Sequence, residues 1–180
     1  MILNIFKSKP SLREIIPNGF VDIHSHILPG IDDGAKNVEE SLKLITEMKK
    51  LGFSKIFATP HTYSGVHNNS NESIENAYLS LKDKIKNDMK ISYASEYMID
   101  NTILKKIEDK SLLSLKENYV LVELSYISAN INLYEIIFRL QLNDYVPVFA
   151  HPERYRYFHE NFKEYVKLKN IGCKFQMNLL

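Results

Sequence analysis

Cysteine is almost absent from this chain of 180 residues, which contains Cys173 alone. One thiol excludes a disulfide framework and any metal cluster built only from cysteines, and it is typical of a reducing compartment. The cysteine-phosphatase mechanism is excluded as well, because it needs an arginine six positions after the thiol, where this sequence has Leu179. We therefore expect Cys173 to be a small core residue and the site chemistry to come from histidine, aspartate and glutamate.

Excess charge and long apolar runs are lacking too. With 23 Lys and Arg against 22 Asp and Glu, the formal charge is +1, which gives no reason to expect a nucleic acid or an anionic membrane as partner. No apolar run approaches the roughly 20 residues of a membrane span, and no secretory signal is recognisable, so we expect a cytoplasmic protein. The six glycines form neither a Walker loop nor a dinucleotide-binding fingerprint.

Short β-branched or aromatic runs alternate with segments of helical period, which is the pattern of a parallel sheet covered by helices. Apolar residues spaced four and three apart predict a helix over 38–51, ended by Gly52. Further helices are expected at 74–85, 103–107, 133–142 and 162–169. Six strands are predicted, at 20–24, 55–59, 90–96, 119–124, 146–151 and 173–178.

Histidine or glutamate stands at or just beyond the carboxyl end of five successive predicted strands. In a barrel of parallel strands these ends converge on one face, where such enzymes place their chemistry. We therefore expect one shared site, and its candidate residues in chain order are His24, His26, His61, Glu96, Glu123 and His151.

The loop after the first strand adds two aspartates to this set. His24 and His26 are two positions apart, so both imidazoles point to the same side of an extended chain and can reach one ion. Asp32 and Asp33 follow, directly before Gly34. We expect one of them to bind an ion and the other to cap the next helix.

A guanidinium accompanies the last histidine, since Arg154 follows three residues after His151. Arginine is suited to bidentate recognition of phosphate, so this pairing favours a phosphoester substrate. Glu96 and Glu123 each end an apolar strand, where a carboxylate is costly to bury unless it is paired or binds a metal. A capping or salt-bridge role stays open for Glu123.

A site of imidazoles and carboxylates suits Mn²⁺, Fe or Zn²⁺, and a carboxylate can bridge two ions. Two or three clustered ions would neutralise phosphate oxygens and activate a water for direct attack. Outside this set, His67 and His159 are expected to be surface residues. Three aromatic residues are expected to serve for packing, namely Tyr155, Tyr157 and Phe158.

These motifs resemble the PHP superfamily of metal-dependent phosphoesterases and, within it, the bacterial CpsB/YwqE-type protein-tyrosine phosphatases. The resemblance begins at Phe20, so residues 1–19 are expected to be an N-terminal extension and residues 20–180 the PHP phosphoesterase domain. Five segments carry it, at 20–35, 58–61, 95–96, 122–124 and 150–155.

The resemblance implies a distorted TIM-like (β/α)7 barrel that holds up to three ions, usually Mn²⁺. It implies a first ion at His24, His26 and Glu96, with Glu96 bridging to a second at Glu123 and His151. A third would lie at His61 with Asp32 or Asp33, and Arg154 would hold the phosphate. The implied substrate is the tyrosine-rich tail of a kinase that controls capsule or exopolysaccharide export.

The sequence departs from the family at its end. Family members continue through another helix and strand to a Ser-Asp-x-His motif, whereas this chain ends at Leu180, so we expect a barrel without its last βα unit. A fragment is favoured over a natural truncation. Two alternatives stay open: a catalytically weakened metal-binding regulatory protein, and a phosphatase for a small molecule such as histidinol phosphate. Association into an oligomer through an unpaired strand edge stays open too.

Overall fold

The computed structural model describes residues 10–85 and 89–179. Its helices are α1 Leu12–Ile15, α2 Val38–Leu51, α3 Asn71–Lys82, α4 Ile103–Glu108, α5 Leu133–Leu142, α6 Arg156–His159 and α7 Lys163–Asn170, with a 3-10 turn at Pro152–Arg154. Its strands are β1 Phe20–Ser25, β2 Phe53–Ala58, β3 His61–Thr62, β4 Lys90–Tyr93, β5 Glu96–Met98, β6 Tyr119–Glu123, β7 Val146–Ala150 and β8 Lys174–Gln176.

The predicted helices are confirmed, and those at 38–51 and 133–142 have the predicted bounds. Asn37 caps the start of α2 by accepting a hydrogen bond from the backbone N–H of Glu40, and Gly52 ends it in a left-handed conformation. No pattern in the sequence predicted α1, α6 or the 3-10 turn. Within the described ranges, no helix has the length and apolar character that crossing a membrane requires.

One predicted strand is interrupted, and another is followed by a short strand that was not predicted. The strand expected at 90–96 is divided into β4 and β5, and His61 begins a separate strand, β3, after the break at Thr59 and Pro60. Hydrogen bonds hold the two breaks side by side, because the N–H of Ala94 donates to the carbonyl of Ala58. The chain thereby turns from one sheet into another just before the site residues.

All strand pairs are parallel, and they form two sheets with the orders β1-β2-β4 and β3-β5-β6-β7-β8. The molecule is therefore an α/β protein built on parallel sheets. The part of the chain that the structure describes forms no closed sheet, so the expected TIM-like (β/α)7 barrel is not confirmed.

Each sheet packs against its own apolar core. The core of the first sheet includes Ile56, Ile74 and Leu81, and the core of the second includes Phe149 and Ile136. The second core also contains Cys173, which confirms its expected role as a small core residue. Of the expected N-terminal extension, residues 1–9 lie outside the described residues, while α1 and Ile16 pack against the first core.

Candidate metal centre

The carboxyl ends of the strands surround one open cavity of about 490 Å³. The structure brings together all but one of the predicted site residues at its wall: His24, His26, Asp33, His61, Glu96, Glu123, His151 and Arg154. The exception is Asp32, which lies behind the imidazole of His26. Residues up to 130 positions apart in sequence therefore share one cavity, as the strand-end pattern predicted.

Glu96 lies at the centre of the histidines. Its side chain is fully buried, and its Oε2 atom is 3.1 Å from His24 Nε2, 3.1 Å from His61 Nδ1 and 3.4 Å from His26 Nε2. The other oxygen, Oε1, is 2.9 Å from Nε2 of His151. Burial alone would raise the pKa of Glu96, but the surrounding imidazoles outweigh it and hold the pKa well below its usual range. The carboxylate is therefore charged at neutral pH.

The orientation of the first two imidazoles is set from behind. Nδ1 of His26 is 2.7 Å from Asp32 Oδ2, and Nδ1 of His24 is 2.8 Å from Oε1 of Gln176. Because these oxygens accept hydrogen bonds, both Nδ1 atoms carry protons, and the two Nε2 atoms present lone pairs at a separation of 3.2 Å. Only a cation between them, a proton or a metal ion, removes that repulsion.

Protonation is one way to meet this requirement. Burial lowers the pKa of His26, but the carboxylates of Asp32 and Glu96 outweigh it and raise the pKa to about 10. The same kind of contact acts on His61, where nearby Glu123 and Glu96 outweigh burial and raise the pKa. The site thus attracts positive charge strongly, which is the property that a divalent ion requires.

Three buried polar atoms have no hydrogen-bond partner among the described residues: His61 Nδ1, Glu96 Oε2 and His151 Nδ1. His61 Nδ1 is 2.8 Å from Glu123 Oε1, close enough for a hydrogen bond but outside the angles that one requires. Buried polar atoms are rarely left unpaired. Two of these atoms, His61 Nδ1 and Glu96 Oε2, lie 3.1 Å apart without bonding each other, which fits a shared ion.

The two adjacent aspartates have different surroundings. Asp32 accepts hydrogen bonds from His26 and from the backbone N–H groups of Gly34 and His61, so its carboxylate orients other residues. Asp33 is 69% exposed and lies 3.7 Å from Nε2 of His61. The expected helix cap was wrong for both, since Asn37 caps α2.

Gly34 allows the loop after β1 to fold back onto His26. A Cβ atom at this position would lie 2.0 Å from the carbonyl oxygen of His26 and 2.5 Å from its Cβ. The N–H of Ala35 donates to the same carbonyl at 3.0 Å. Only glycine permits this approach, which places Asp32 against the imidazole.

His151 is held in a strained backbone conformation, with φ at +33°. Tyr155 supports it from below: its hydroxyl donates to the carbonyl of Ala150 at 2.7 Å and accepts from the N–H of Leu124 at 3.0 Å. This hydroxyl joins the ends of β6 and β7, directly beside Glu123 and His151. The packing role expected for Tyr155 is confirmed, since it is 1% exposed, but its hydroxyl also positions the site.

Three further residues around the cavity were not predicted from the sequence as site residues: Gln176, His67 and Tyr126. Gln176 orients His24 and also accepts from the backbone N–H of His151 at 3.4 Å. The surface position expected for His67 was wrong, because its ring stacks on His61 with centroids 5.5 Å apart and lines the cavity. Tyr126 lines the cavity beside Arg154, whose Nη1 donates to its hydroxyl at 3.4 Å. Gln176 could have been predicted from the sequence, because Gln176 and Asn178 are two positions apart at a strand end, as His24 and His26 are.

Within residues 10–85 and 89–179, the potential ligands fall into three overlapping groups whose atoms lie within 4.8 Å of one another: His24, His26 and Glu96; His26, Asp33 and His61; and His61, Glu96 and Glu123. The first is the group that the resemblance implied. In the third group His61 stands where His151 was expected, and His151 Nε2 is 3.8 Å from Glu123 Oε2. Imidazoles, carboxylates and unpaired buried atoms together fit divalent ions of the Mn²⁺, Fe or Zn²⁺ type.

The fold and the site define a parallel α/β protein with histidines and carboxylates clustered at the strand ends. The family model described as "Capsular polysaccharide synthesis, CpsB/CapC" matches residues 20–180. The chain belongs to this family.

Similar proteins include the tyrosine-protein phosphatase CpsB of Streptococcus pneumoniae, 31% identical over 88% of this chain and 67% of its own length. The tyrosine-protein phosphatase YwqE of Bacillus subtilis is 34% identical over 78% of this chain and 57% of its own length. A crystal structure from a study of YwqE and CpsB, described as unique metal-dependent tyrosine phosphatases, superimposes with a TM-score of 0.81 at 30% identity, covering 88% of this chain and 66% of that one. The chain thus spans between 57% and 67% of the length of these relatives.

Proposed function

We propose that this chain supplies the metal-binding part of a protein-tyrosine phosphatase that hydrolyses phosphotyrosine with a metal-activated water. The observation that carries the proposal is the environment of Glu96, where a buried carboxylate oxygen without a hydrogen-bond partner lies within 3.4 Å of three imidazole nitrogens. The names of the relatives, which are tyrosine-protein phosphatases, support the substrate class.

His24, His26 and Glu96 would hold one ion, and His61, Glu123 and His151 would complete the neighbouring positions around Glu96. When bound, the ions would supply positive charge for the phosphate oxygens and lower the pKa of a water towards 7. Mn²⁺ is the ion we propose, because the donor set suits it and the resemblance implies it. Asp32, Gln176 and Tyr155 would keep the donor atoms aimed at the cavity.

Arg154 would bind the phosphate from the open side of the cavity. Its guanidinium lines the cavity and is exposed, so it can reach a substrate that enters from solvent. A guanidinium neutralises phosphate through paired hydrogen bonds. The reaction would need no covalent phosphoenzyme, since the nucleophile is water.

We also propose that the strands form part of a (β/α)7 barrel. The chain passes between the two sheets at β3 and β5, and the hydrogen bond between His24 and Gln176 joins β1 to β8. The proposed place of action is the cytoplasm, where a free buried thiol such as Cys173 is typical. The proposed substrate is the tyrosine-rich tail of a kinase of polysaccharide export.

The test is to remove metal with EDTA, add back Mn²⁺, and measure phosphate release from a phosphotyrosine peptide. We expect no activity in EDTA, recovery with Mn²⁺, and loss in His24→Ala and Arg154→Ala. Arg156→Ala is the matched control, because Arg156 is exposed on α6 and does not line the cavity. Full activity in EDTA would refute the proposal. Faster hydrolysis of histidinol phosphate than of the peptide would mean that the substrate is a small phosphate ester and not a phosphotyrosine protein.

A further inference from the structure

Tyr126 is an exposed aromatic residue at the wall of the cavity. It follows β6 by three residues and is 51% exposed at the cavity wall. Its ring centroid is 5.7 Å from that of His151. An exposed aromatic side chain directly beside buried candidate ligands is suited to contact what enters the cavity.

The hydroxyl of Tyr126 accepts a hydrogen bond from Arg154 Nη1 at 3.4 Å. Because that bond uses an oxygen lone pair, the O–H proton stays available, and no acceptor for it is found among the described residues. Partial burial raises the pKa of Tyr126, which keeps the proton on the oxygen at neutral pH. Arg154 and Tyr126 together therefore present an N–H and an O–H donor to the same part of the cavity.

Apolar side chains also line the cavity near these two hydrogen-bond donors. Ile127, next in the chain, is 90% exposed, and Val66, which also lines the cavity, is 60% exposed. An ester with an aromatic leaving group would find apolar side chains and two hydrogen-bond donors at the same wall of the cavity.

We propose that Tyr126 is a substrate-binding residue, whose hydroxyl donates to a phosphoryl oxygen held by Arg154 and whose ring contacts the aromatic group of the ester. This rests on the proposed function and names a residue for it. The hydroxyl would act on every phosphate monoester, whereas the ring would act on aryl esters alone. The two contributions can be separated by removing the hydroxyl first and then the ring.

The test compares Tyr126→Phe and Tyr126→Leu with the wild type, all loaded with Mn²⁺. Calorimetric titration with inorganic phosphate measures binding without turnover, and KM and kcat are measured on phosphotyrosine and on β-glycerophosphate. For Tyr126→Phe we expect about tenfold weaker phosphate binding and a similar rise in KM on both esters, because a hydrogen bond to a charged group is lost. For Tyr126→Leu we expect a further rise in KM on phosphotyrosine alone.

Tyr134→Phe is the matched control, because Tyr134 is also exposed, also hydrogen-bonded through its hydroxyl, and does not line the cavity. Phosphate affinity within twofold of the wild type in Tyr126→Phe would overturn this proposal, and so would an equal loss in the control. A wild type that binds phosphate through Tyr126 but hydrolyses neither ester would instead overturn the proposed function and leave Tyr126 as a binding residue.

Discussion

The cavity has a floor and a rim that differ in how firmly their side chains are held. The floor, formed by Glu96, Glu123 and His151, is at most 2% exposed. The rim, formed by Asp33, Tyr126 and Arg154, is exposed. Floor residues belong to strand ends fixed by the sheet, and rim residues belong to loops and the 3-10 turn. The difference indicates that the floor would set ion binding and the rim would set substrate binding.

The largest effect is expected from the centre of the floor. Glu96→Gln removes the charge that faces His24, His61 and His151, of which Glu123 also faces the last two. We expect loss of bound Mn²⁺ and a fall in kcat/KM of at least about 10²-fold. Metal content after gel filtration measures the first effect.

Glu108→Gln, an exposed glutamate at the end of α4, is the control and should keep the wild-type metal content. Full Mn²⁺ occupancy in Glu96→Gln would contradict the inference that the floor residues set ion binding.

A smaller loss is expected when the loop over His26 is displaced. In Gly34→Ala, the new methyl group meets the backbone of His26 and pushes Asp32 away from the imidazole. We expect Mn²⁺ affinity to fall by about 10- to 100-fold, the usual cost of losing a residue that orients a ligand. Competition with a fluorescent chelator measures the affinity.

Gly19→Ala tests whether glycine replacement itself is harmful. Gly19 has φ +86° and open space around its position for a Cβ, so its replacement strains the backbone without touching the site. We expect lower stability with unchanged Mn²⁺ affinity. Equal losses of affinity in both variants would mean that Gly34 has no special role.

At the rim, Asp33→Asn is expected to have a modest effect. The carboxylate is 69% exposed and lies 3.7 Å from His61, so water can replace much of its contribution. We expect about tenfold or smaller loss of Mn²⁺ affinity, confined to one ion of the set, with the remaining ions retained. Titration calorimetry measures the number of bound ions. Loss of every ion in Asp33→Asn would contradict the prediction.

The smallest effect concerns pH and the metal-free protein. The pKa of His26 is raised to about 10, so the folded state binds its proton more tightly than the unfolded state. This contribution is complete below the ordinary histidine pKa and disappears as the pH rises through 10. We expect the Tm to fall by several degrees between pH 7 and 10, since one kcal/mol is worth roughly 2–4 °C in a chain of this size.

The Mn²⁺-loaded protein should change less over the same range, because an ion replaces the proton at Nε2. His26→Asn without metal should lose the pH-dependent part of the Tm. An unchanged profile in that variant would show that other groups cause the decrease.

Much of this arrangement followed from the sequence, because parallel strands bring their carboxyl ends together and the strand-end residues are chemically distinctive. His24, Glu123 and His151 share a site for that reason, whereas Glu96 begins β5 and reaches the site because the chain breaks between β4 and β5. The break at Ser95 was not predictable from apolar periodicity, since it interrupts a run that looks continuous, whereas the break at Pro60 follows the predicted end of the second strand at Thr59. The choice between Asp32 and Asp33 depended on a loop that folds back through Gly34, a contact that spacing alone does not encode.

The two strand breaks have a consequence for folding. They pass the chain from the first sheet to the second. His24 lies in β1 of the first sheet and His26 follows that strand, while Glu96 and Glu123 lie in strands of the second sheet and His151 follows β7. An ion in the cavity would therefore be bound by residues from both sheets and would hold the two sheets, each with its own apolar core, together. Its binding energy would be lost if either sheet opened, which would make the melting of both a single event.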